Sequence, residues 1–440
     1  MKHGFTFSLL IVVVFWSLAV GHDEPGGKGG GSGSGTGGGG PFASRRVSLL
    51  SNLTLSDMGN LGASNVRGND VWGWTDQDSK REFAIFGLTN GTSFVEVTDP
   101  TAPRYLGTLQ SHTGNNSSWR DMKIYNEQAY IVADFNGDHG VQVFDMTQLL
   151  DADTSDPTDP HYFSAVGNYD TITRAHNIAI NEDTGFAYVV GAPQSNGGLH
   201  ILDLNGGAAG SMPTYAGEFS FDGYTHDTQV VVYNGPDADH VGKEIAFSSN
   251  EDTVTIVDVT NKSNIGEDQM LSRNGYAESQ YTHQGWLSED QRHFFMNDEL
   301  DEQRSDELIQ TRTHVWNVED LDSPDYLGFY EGTEATIDHN LYVVGDLIYQ
   351  ANYTSGMRVL KINDAQSLDI EEYAFFDTYA PDNDVTFNGA WSVFPFFESG
   401  TVLISDRQNG LFMVTVVPEP GSGLVLGVLG LTVIYRRRRN

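Results

Sequence analysis

The sequence contains no cysteine, which excludes a disulfide scaffold, a thiolate metal site and a cysteine nucleophile. Basic residues are also scarce, because 24 Lys and Arg stand against 60 Asp and Glu and leave a net charge of -36. Since phosphate backbones are bound by clustered Lys and Arg, this composition argues against a nucleic-acid partner, and we expect none. Long amphipathic helical patterns and the HExxH motif of zinc proteases are missing as well.

What is present is enough apolar sequence for a large core. The chain has 440 residues, of which 39% are hydrophobic and 11% are aromatic, so wholesale disorder is excluded. This length exceeds that of most single compact domains, but repeat folds routinely reach it.

The first 21 residues predict a signal peptide. Lys2 precedes an apolar run over residues 5–20, and Ala19 and Gly21 are small residues suited to cleavage. An N-terminal membrane anchor is the alternative. An exported protein without cysteine indicates a bacterial envelope or surface. Residues 22–44 are rich in glycine and predict a flexible linker before a domain at residues 45–417.

One pattern recurs through residues 45–417. A β-branched or aromatic run is followed by a turn with Gly, Asn or Asp and then by a second strand, as expected for antiparallel hairpins. Each hairpin is preceded by another strand that opens on polar residues, at intervals of roughly 50 residues. The seven openings are Asn69-Asp70, Arg120-Asp121, His176-Asn177, His226-Asp227, His283-Gln284, His339-Asn340 and Asn388-Gly389. Seven such units predict an all-β, seven-bladed β-propeller.

A fourth strand is expected to complete each blade. The candidates are residues 104–109, 162–166, 215–221, 269–272, 326–330 and 373–376. The seventh unit has no candidate of its own, whereas residues 47–50 form a strand that belongs to no unit. We therefore expect the N-terminal strand to pair into the last blade and close the ring.

The strand endings at Asp145, Asp203 and Asp258 resemble those of LVIVD-repeat propellers, and the whole domain resembles choice-of-anchor B family proteins. That family joins one propeller-like domain to varied C-terminal anchors. The resemblance implies display at the cell surface and does not imply a reaction. The fifth unit departs from the pattern through an acidic insert at residues 298–306.

The C-terminal tail resembles a PEP-CTERM sorting signal of Gram-negative bacteria. Its three parts are an apolar run over residues 421–435 and two short motifs, Pro418-Glu419-Pro420 and Arg436-Arg437-Arg438-Arg439. The resemblance implies that an exosortase cleaves near the first motif. It also implies that the C-terminal helix at 418–440 holds the chain in the inner membrane only before processing. A plain tail anchor is the alternative.

The polar openings are expected to converge on the axial channel of the propeller. His176, His226, His283 and His339 would form a ring that Asn69, Arg120 and Asn388 complete, with Asp70, Asp121 and Asp227 in a neighbouring layer. Four imidazoles could hold zinc, copper, iron or nickel. Against this, Arg120 would repel a cation, and each histidine could instead bond to a neighbouring blade.

Two further patterns are ambiguous. Residues 134–140 and 151–156 alternate oxygen-bearing side chains as calcium loops do, although solvated turns have the same composition. Several tryptophans fall near the channel openings and could stack sugars or pack between blades, namely Trp72, Trp74, Trp119, Trp286 and Trp391.

These observations favour a non-enzymatic surface module that binds an extracellular protein or polysaccharide. The alternative is a metal-dependent hydrolase or lyase with its site at the channel mouth formed by the histidines. Fold class does not decide between them, since propellers support both binding and catalysis.

Overall fold

The computed structural model describes residues 42–59, 65–152, 161–206, 211–305 and 309–417. The predicted signal peptide, most of the linker and the sorting signal at 418–440 lie outside these residues. Within them, the longest α-helix is the single turn Asp301–Arg304, so no helix there is long and apolar enough to cross a bilayer.

Seven sheets, each built on four antiparallel strands, make up the described fold and are numbered here as blades 1 to 7 in chain order. Blades 1 and 2 contain the strands Gly68–Thr75, Glu82–Leu88, Gly91–Glu96 and Arg104–Gln110, then Arg120–Tyr125, Gln128–Ala133, Val141–Asp145 and Gly167–Tyr169. Blades 3 and 4 contain Asn177–Asn181, Phe186–Val190, Leu199–Asp203 and Thr214–Phe219, then Asp227–Val232, Glu244–Ser249, Val254–Asp258 and Met270–Asn274.

Blade 5 contains Thr282–Leu287, His293–Asp298, Arg312–Asn317 and Asp325–Glu331. Blade 6 contains Leu341–Val344, Leu347–Ala351, Met357–Asp364 and Asp369–Phe376, and Ser44–Arg45 pairs along its outer edge. Blade 7 contains Ala390–Phe394, Val402–Asp406, Gly410–Val416 and Val47–Leu53. Three 3-10 turns lie between strands, at Met146–Leu149, Pro193–Ser195 and Glu267–Gln269.

The seven blades form a closed ring, as the sequence predicts. The first strand of each blade contacts the first strand of the next, and blade 7 returns to blade 1. Val47–Leu53 pairs antiparallel with Gly410–Val416, so the expected closure by the N-terminal strand is confirmed. Phe42 packs against Phe376 and Phe412, which extends the folded domain three residues before the predicted boundary.

The core lies between the blades. Side chains alternate across each strand, so Phe83 and Ile85 of blade 1 pack against blade 2 while Ala84 and Phe86 pack against blade 7. The same alternation produces an apolar cluster at each of the seven interfaces between neighbouring blades. A blade therefore buries both of its faces only when its two neighbours are present.

One predicted strand is wrong. Residues 162–166 do not form the outer strand of blade 2, because Tyr162–Phe163 pairs in parallel with the outer strand of blade 1. The amide of Thr108 donates to the carbonyl of His161 at 2.9 Å and holds this segment on that edge. The chain then crosses over, and Gly167–Tyr169 completes blade 2.

Candidate functional site

The innermost strands bring four histidines to one end of the channel. His176, His226, His283 and His339 open the inner strands of blades 3 to 6. Their ring centroids are 4.3, 4.0 and 4.3 Å apart in that order. Each imidazole therefore touches the next, and the four form an arc over four consecutive blades.

The ring position in blade 7 belongs to Trp391, whereas the sequence predicts Asn388 there. Trp391 is the extra residue of a β-bulge between Ala390 and Ser392, and His283 is the extra residue of a corresponding bulge in blade 5. Asn388 lies before the bulge and accepts a hydrogen bond from Gln408 at 2.5 Å. Trp391 instead packs against His339, with ring centroids 4.8 Å apart.

Backbone carbonyls fix the tautomers of two of these histidines. Nδ1 of His226 lies 2.9 Å from the carbonyl oxygen of His283, and Nδ1 of His339 lies 2.5 Å from that of Trp391. Since a carbonyl oxygen only accepts, both Nδ1 atoms carry the proton and both Nε2 atoms carry the lone pair. Nδ1 of His176 lies 3.0 Å from Asp134 Oδ2.

Burial keeps the imidazoles of His226, His283 and His339 neutral. It lowers the pKa of His226 and of His283 well below the ordinary value, and the neighbouring imidazoles add to the effect. Burial lowers the pKa of His339 to about 3. Neutral imidazole is the form that binds metal ions.

Glu299 belongs to this cluster, although the sequence analysis did not single it out. Its Oε2 lies 3.7 Å from Nε2 of His283, and its Oε1 lies 3.6 Å from Nε2 of His339. Tyr353 donates a hydrogen bond to Oε1 at 2.7 Å. Burial raises the pKa of Glu299 to about 7. The acidic insert at residues 298–306 was the one sequence signal that could have pointed to it.

Arg120 and the histidines line one small cavity of about 10 Å³, which is room for one water molecule or ion. Arg120 is fully buried, and its Nε donates to the carbonyl of Leu88 at 2.9 Å. Its Nη1 lies 3.3 Å from Nε2 of His139, and burial lowers its pKa to about 10. Asn69 is also buried but does not line the cavity.

A charged layer lies below the histidines and includes the three predicted aspartates. Lys123 Nζ lies 2.6 Å from Asp121 Oδ1 and 3.6 Å from Asp70 Oδ2. Burial raises the pKa of Asp70, and it raises the pKa of Asp227 to about 7. Burial also acts to raise the pKa of Asp121, but Lys123 and hydrogen bonds outweigh it and hold this pKa below the ordinary value.

The opposite end of the channel opens into a wide cavity of about 1180 Å³, called the wide mouth here. Aromatic rings crowd one side of it. Trp286 lies 5.0 Å from Tyr342 and 6.0 Å from Phe396, and Trp72 lies 5.1 Å from Phe394, measured between ring centroids. Trp72 and Trp286 are half-buried, so part of each ring faces the cavity.

Polar groups share the wide mouth with these rings. Lys123 Nζ lies 4.4 Å above the ring of Trp72, and Asp227, Gln229 and Gln284 also line the cavity. The wide mouth therefore combines flat apolar surfaces with hydrogen-bonding groups. Of the other predicted tryptophans, Trp74 also lines the wide mouth, but it is buried and packs on Phe83, whereas Trp119 lines the small cavity at the histidine end.

In the segment at residues 134–140, which could be a calcium loop or a solvated turn, the side-chain oxygens of Asp134 and Asn136 accept bonds within the protein. Asp134 accepts from the amide of Phe135 at 2.7 Å and pairs with Arg174 and His176. Asn136 is fully buried and donates to the carbonyl of Asn115 at 2.8 Å. Most of the second candidate, residues 151–156, lies outside the described residues.

Fold and channel together define the protein as a seven-bladed β-propeller with a narrow histidine end and a wide aromatic end. No family model and no curated protein matches the chain. Among solved structures it is similar to the computationally designed Ika8 protein, at 8% sequence identity and a TM-score of 0.45. That match covers 80% of this chain and 83% of the designed chain, and at this score we draw nothing further from it.

Proposed function

We propose that this propeller is an exported, surface-anchored module that binds an extracellular polysaccharide at its wide mouth. The observation that carries the proposal is the cavity of about 1180 Å³ in which half-buried Trp72 and Trp286 lie beside amide and charged side chains. Sugar rings have apolar faces that stack on aromatic rings and hydroxyl groups that bond to polar ones.

The net charge of -36 narrows the class of ligand. An acidic polymer would be repelled from the surface, whereas a neutral or amino-bearing polysaccharide would not. Lys123 does not change this expectation, because its charge is compensated by Asp121 and Asp70. We therefore expect neutral or cationic polymers to bind more tightly than uronic-acid polymers.

The test is titration of the purified chain with soluble polysaccharides of each charge class, followed by calorimetry. Trp286→Ala should weaken binding roughly ten-fold, as expected for the loss of one aromatic stack. Trp119→Ala removes a tryptophan at the opposite end and serves as the control. Equal losses in both variants, or no binding by any polysaccharide, would contradict the proposal. A protein ligand with the same dependence on Trp286 would assign the wide mouth to protein recognition instead.

Export and sorting form a separate part of the proposal, supported by the two terminal sequence patterns and by the resemblance to choice-of-anchor B proteins. We expect an exosortase-type enzyme to process the chain near Pro418-Glu419-Pro420. Fractionation of cells expressing the full chain or a version that ends at residue 417 tests this. Identical distribution of the two forms would refute the sorting role of residues 418–440.

The second candidate is a metal-dependent hydrolase or lyase at the histidine end. It is favoured by the neutral imidazoles that surround a cavity large enough for one ion. An enzyme would convert its polysaccharide, so new reducing ends or unsaturated ends should accumulate with time. A ligand recovered intact after long incubation supports the binding module.

A further inference from the structure

The carboxylate of Glu299 faces two imidazole nitrogens without forming a hydrogen bond to either. The separations of 3.7 Å to His283 and 3.6 Å to His339 exceed the length of an N–H···O bond, which ends near about 3.2 Å. Two ligands of one tetrahedral ion, each about 2.0–2.1 Å from it, lie roughly 3.4 Å apart. The observed spacing is therefore close to the spacing that a shared ion requires.

The tautomer of His339 also supports an ion shared by these side chains. Because its Nδ1 donates to the carbonyl of Trp391, its Nε2 presents a lone pair to Glu299, which also offers lone pairs. Two acceptors that face each other in a buried site need a hydrogen-bond donor or a cation between them. Nδ1 of His283 has no hydrogen-bond partner among the described residues, so no such bond fixes the tautomer of that ring.

We propose that His283, His339 and Glu299 bind one divalent transition-metal ion of the zinc class, with both histidines coordinating through Nε2. The ligand atoms of these three residues all lie within 4.8 Å of one another. Two imidazoles and one carboxylate form a ligand set that zinc accepts while keeping a further position open. Only two of the four histidines predicted from the sequence are ligands in this site.

Neighbouring groups hold the three ligands in place. Tyr353 donates to Glu299 Oε1 at 2.7 Å and orients the carboxylate. His226 donates through Nδ1 to the backbone carbonyl of His283, which makes it a positioning residue. Such outer contacts are typical of metal sites, where they fix the orientation of the ligands.

A second group of possible metal ligands, His240 with Asp237 and Asp322, is not suited to bind an ion. His240 Nε2 lies 3.1 Å from Asp322 Oδ2 and 3.9 Å from Asp237 Oδ2. Lys243 Nζ lies 3.2 Å from Nδ1 of His240, and an ammonium group only donates. Nε2 of His240 therefore carries the proton and donates to Asp322, which leaves no lone pair for an ion.

The experiment uses the purified full chain, stripped of metal and then titrated with zinc. About one zinc ion should remain per chain after dialysis, and zinc should raise the melting temperature. Cobalt should give the visible absorption of a tetrahedral centre. Glu299→Gln, which keeps an acceptor for Tyr353, and His339→Gln should each abolish retention of the ion.

His176→Gln is the matched control, because His176 lies in the same arc but contributes no ligand. It should retain zinc as the unmodified chain does. Absence of zinc from the unmodified chain, or retention by folded Glu299→Gln, would overturn the proposal. Equal loss in His176→Gln would also overturn it, in favour of a site made of all four imidazoles. This metal site is independent of ligand binding at the wide mouth, so metal-free chain should still bind polysaccharide.

Discussion

Val47 pairs with Val416 in the outer edge of blade 7, which joins the first and last parts of the described chain in one sheet. The amide of Val417 donates to the carbonyl of Arg46 at 2.8 Å, so the next pair inward, Val47 with Val416, is a pair without mutual hydrogen bonds. Cα atoms in such pairs lie roughly 4.5 Å apart, within the range that a disulfide spans.

A double variant, Val47→Cys with Val416→Cys, should therefore form a disulfide. The native chain has no cysteine, so no other pairing competes. Closing so long a loop should stabilise the domain by up to roughly 4 kcal/mol. Melting with and without reductant measures the gain, and each single cysteine variant is a control. Failure to oxidise in the folded state would contradict the observed closure.

Gly73 marks a close approach between blades 1 and 7. A Cβ atom at this position would lie 2.2 Å from Cε1 of Phe394. Gly73→Ala should therefore destabilise the domain by about 1–3 kcal/mol through overpacking. Gly206→Ala is the control, because nothing lies within 4 Å of a Cβ there. Denaturant unfolding checks both, and equal effects would argue against the tight contact.

Lys123 compensates two buried carboxylates in the channel. Lys123→Met keeps most of the side-chain volume but leaves Asp70 and Asp121 without their cation, at a cost of about 3–5 kcal/mol. Lys243→Met breaks a half-buried pair with Asp258 and should cost clearly less, about 1 kcal/mol. If Lys123→Met and Lys243→Met lost similar amounts of unfolding free energy, the ion pairs of Lys123 would not be desolvated.

His139 should make the domain sensitive to acid. Burial, with Arg120 beside it, lowers its pKa from 6.5 to about 3 in the folded state. As the pH falls, the unfolded chain therefore takes up this proton first. The contribution of His139 to the free energy of unfolding is fully present above pH 6.5 and is lost as the pH drops towards 3.

The variant His139→Gln isolates this contribution. Unfolding free energies from pH 7 to 4 should fall less steeply for the variant than for the unmodified chain. His161 is exposed, so His161→Gln is the control and should keep the steep profile. Parallel profiles for His139→Gln and the unmodified chain would refute the prediction.

Much of the fold follows from local sequence pattern. Alternating apolar residues predict strands, glycine and asparagine predict the turns, and the recurrence of both at about 50 residues predicts the number of blades. The unassigned strand at residues 47–50 was enough to predict how the ring closes. The openings at His176, His226, His283 and His339 were also visible, because each repeats at the same point of its blade.

Other features depend on contacts that no local pattern encodes. Residues 162–166 have the composition of a strand, but composition does not show which sheet edge accepts Tyr162–Phe163, and the backbone contacts are made with blade 1. A one-residue bulge gives the seventh ring position to Trp391 and withdraws Asn388 from it, and alternation alone does not predict a bulge.

A ring of seven repeated sheets and the polar residues that open each inner strand can be predicted from the chain, because both are periodic along it. Which of those residues act together becomes clear only once the chain is folded. Glu299 reaches His283 and His339 from an irregular insert, and the proton positions on the imidazoles depend on carbonyls of neighbouring blades. Such relationships arise from packing between distant segments, so spacing along one blade does not reveal them.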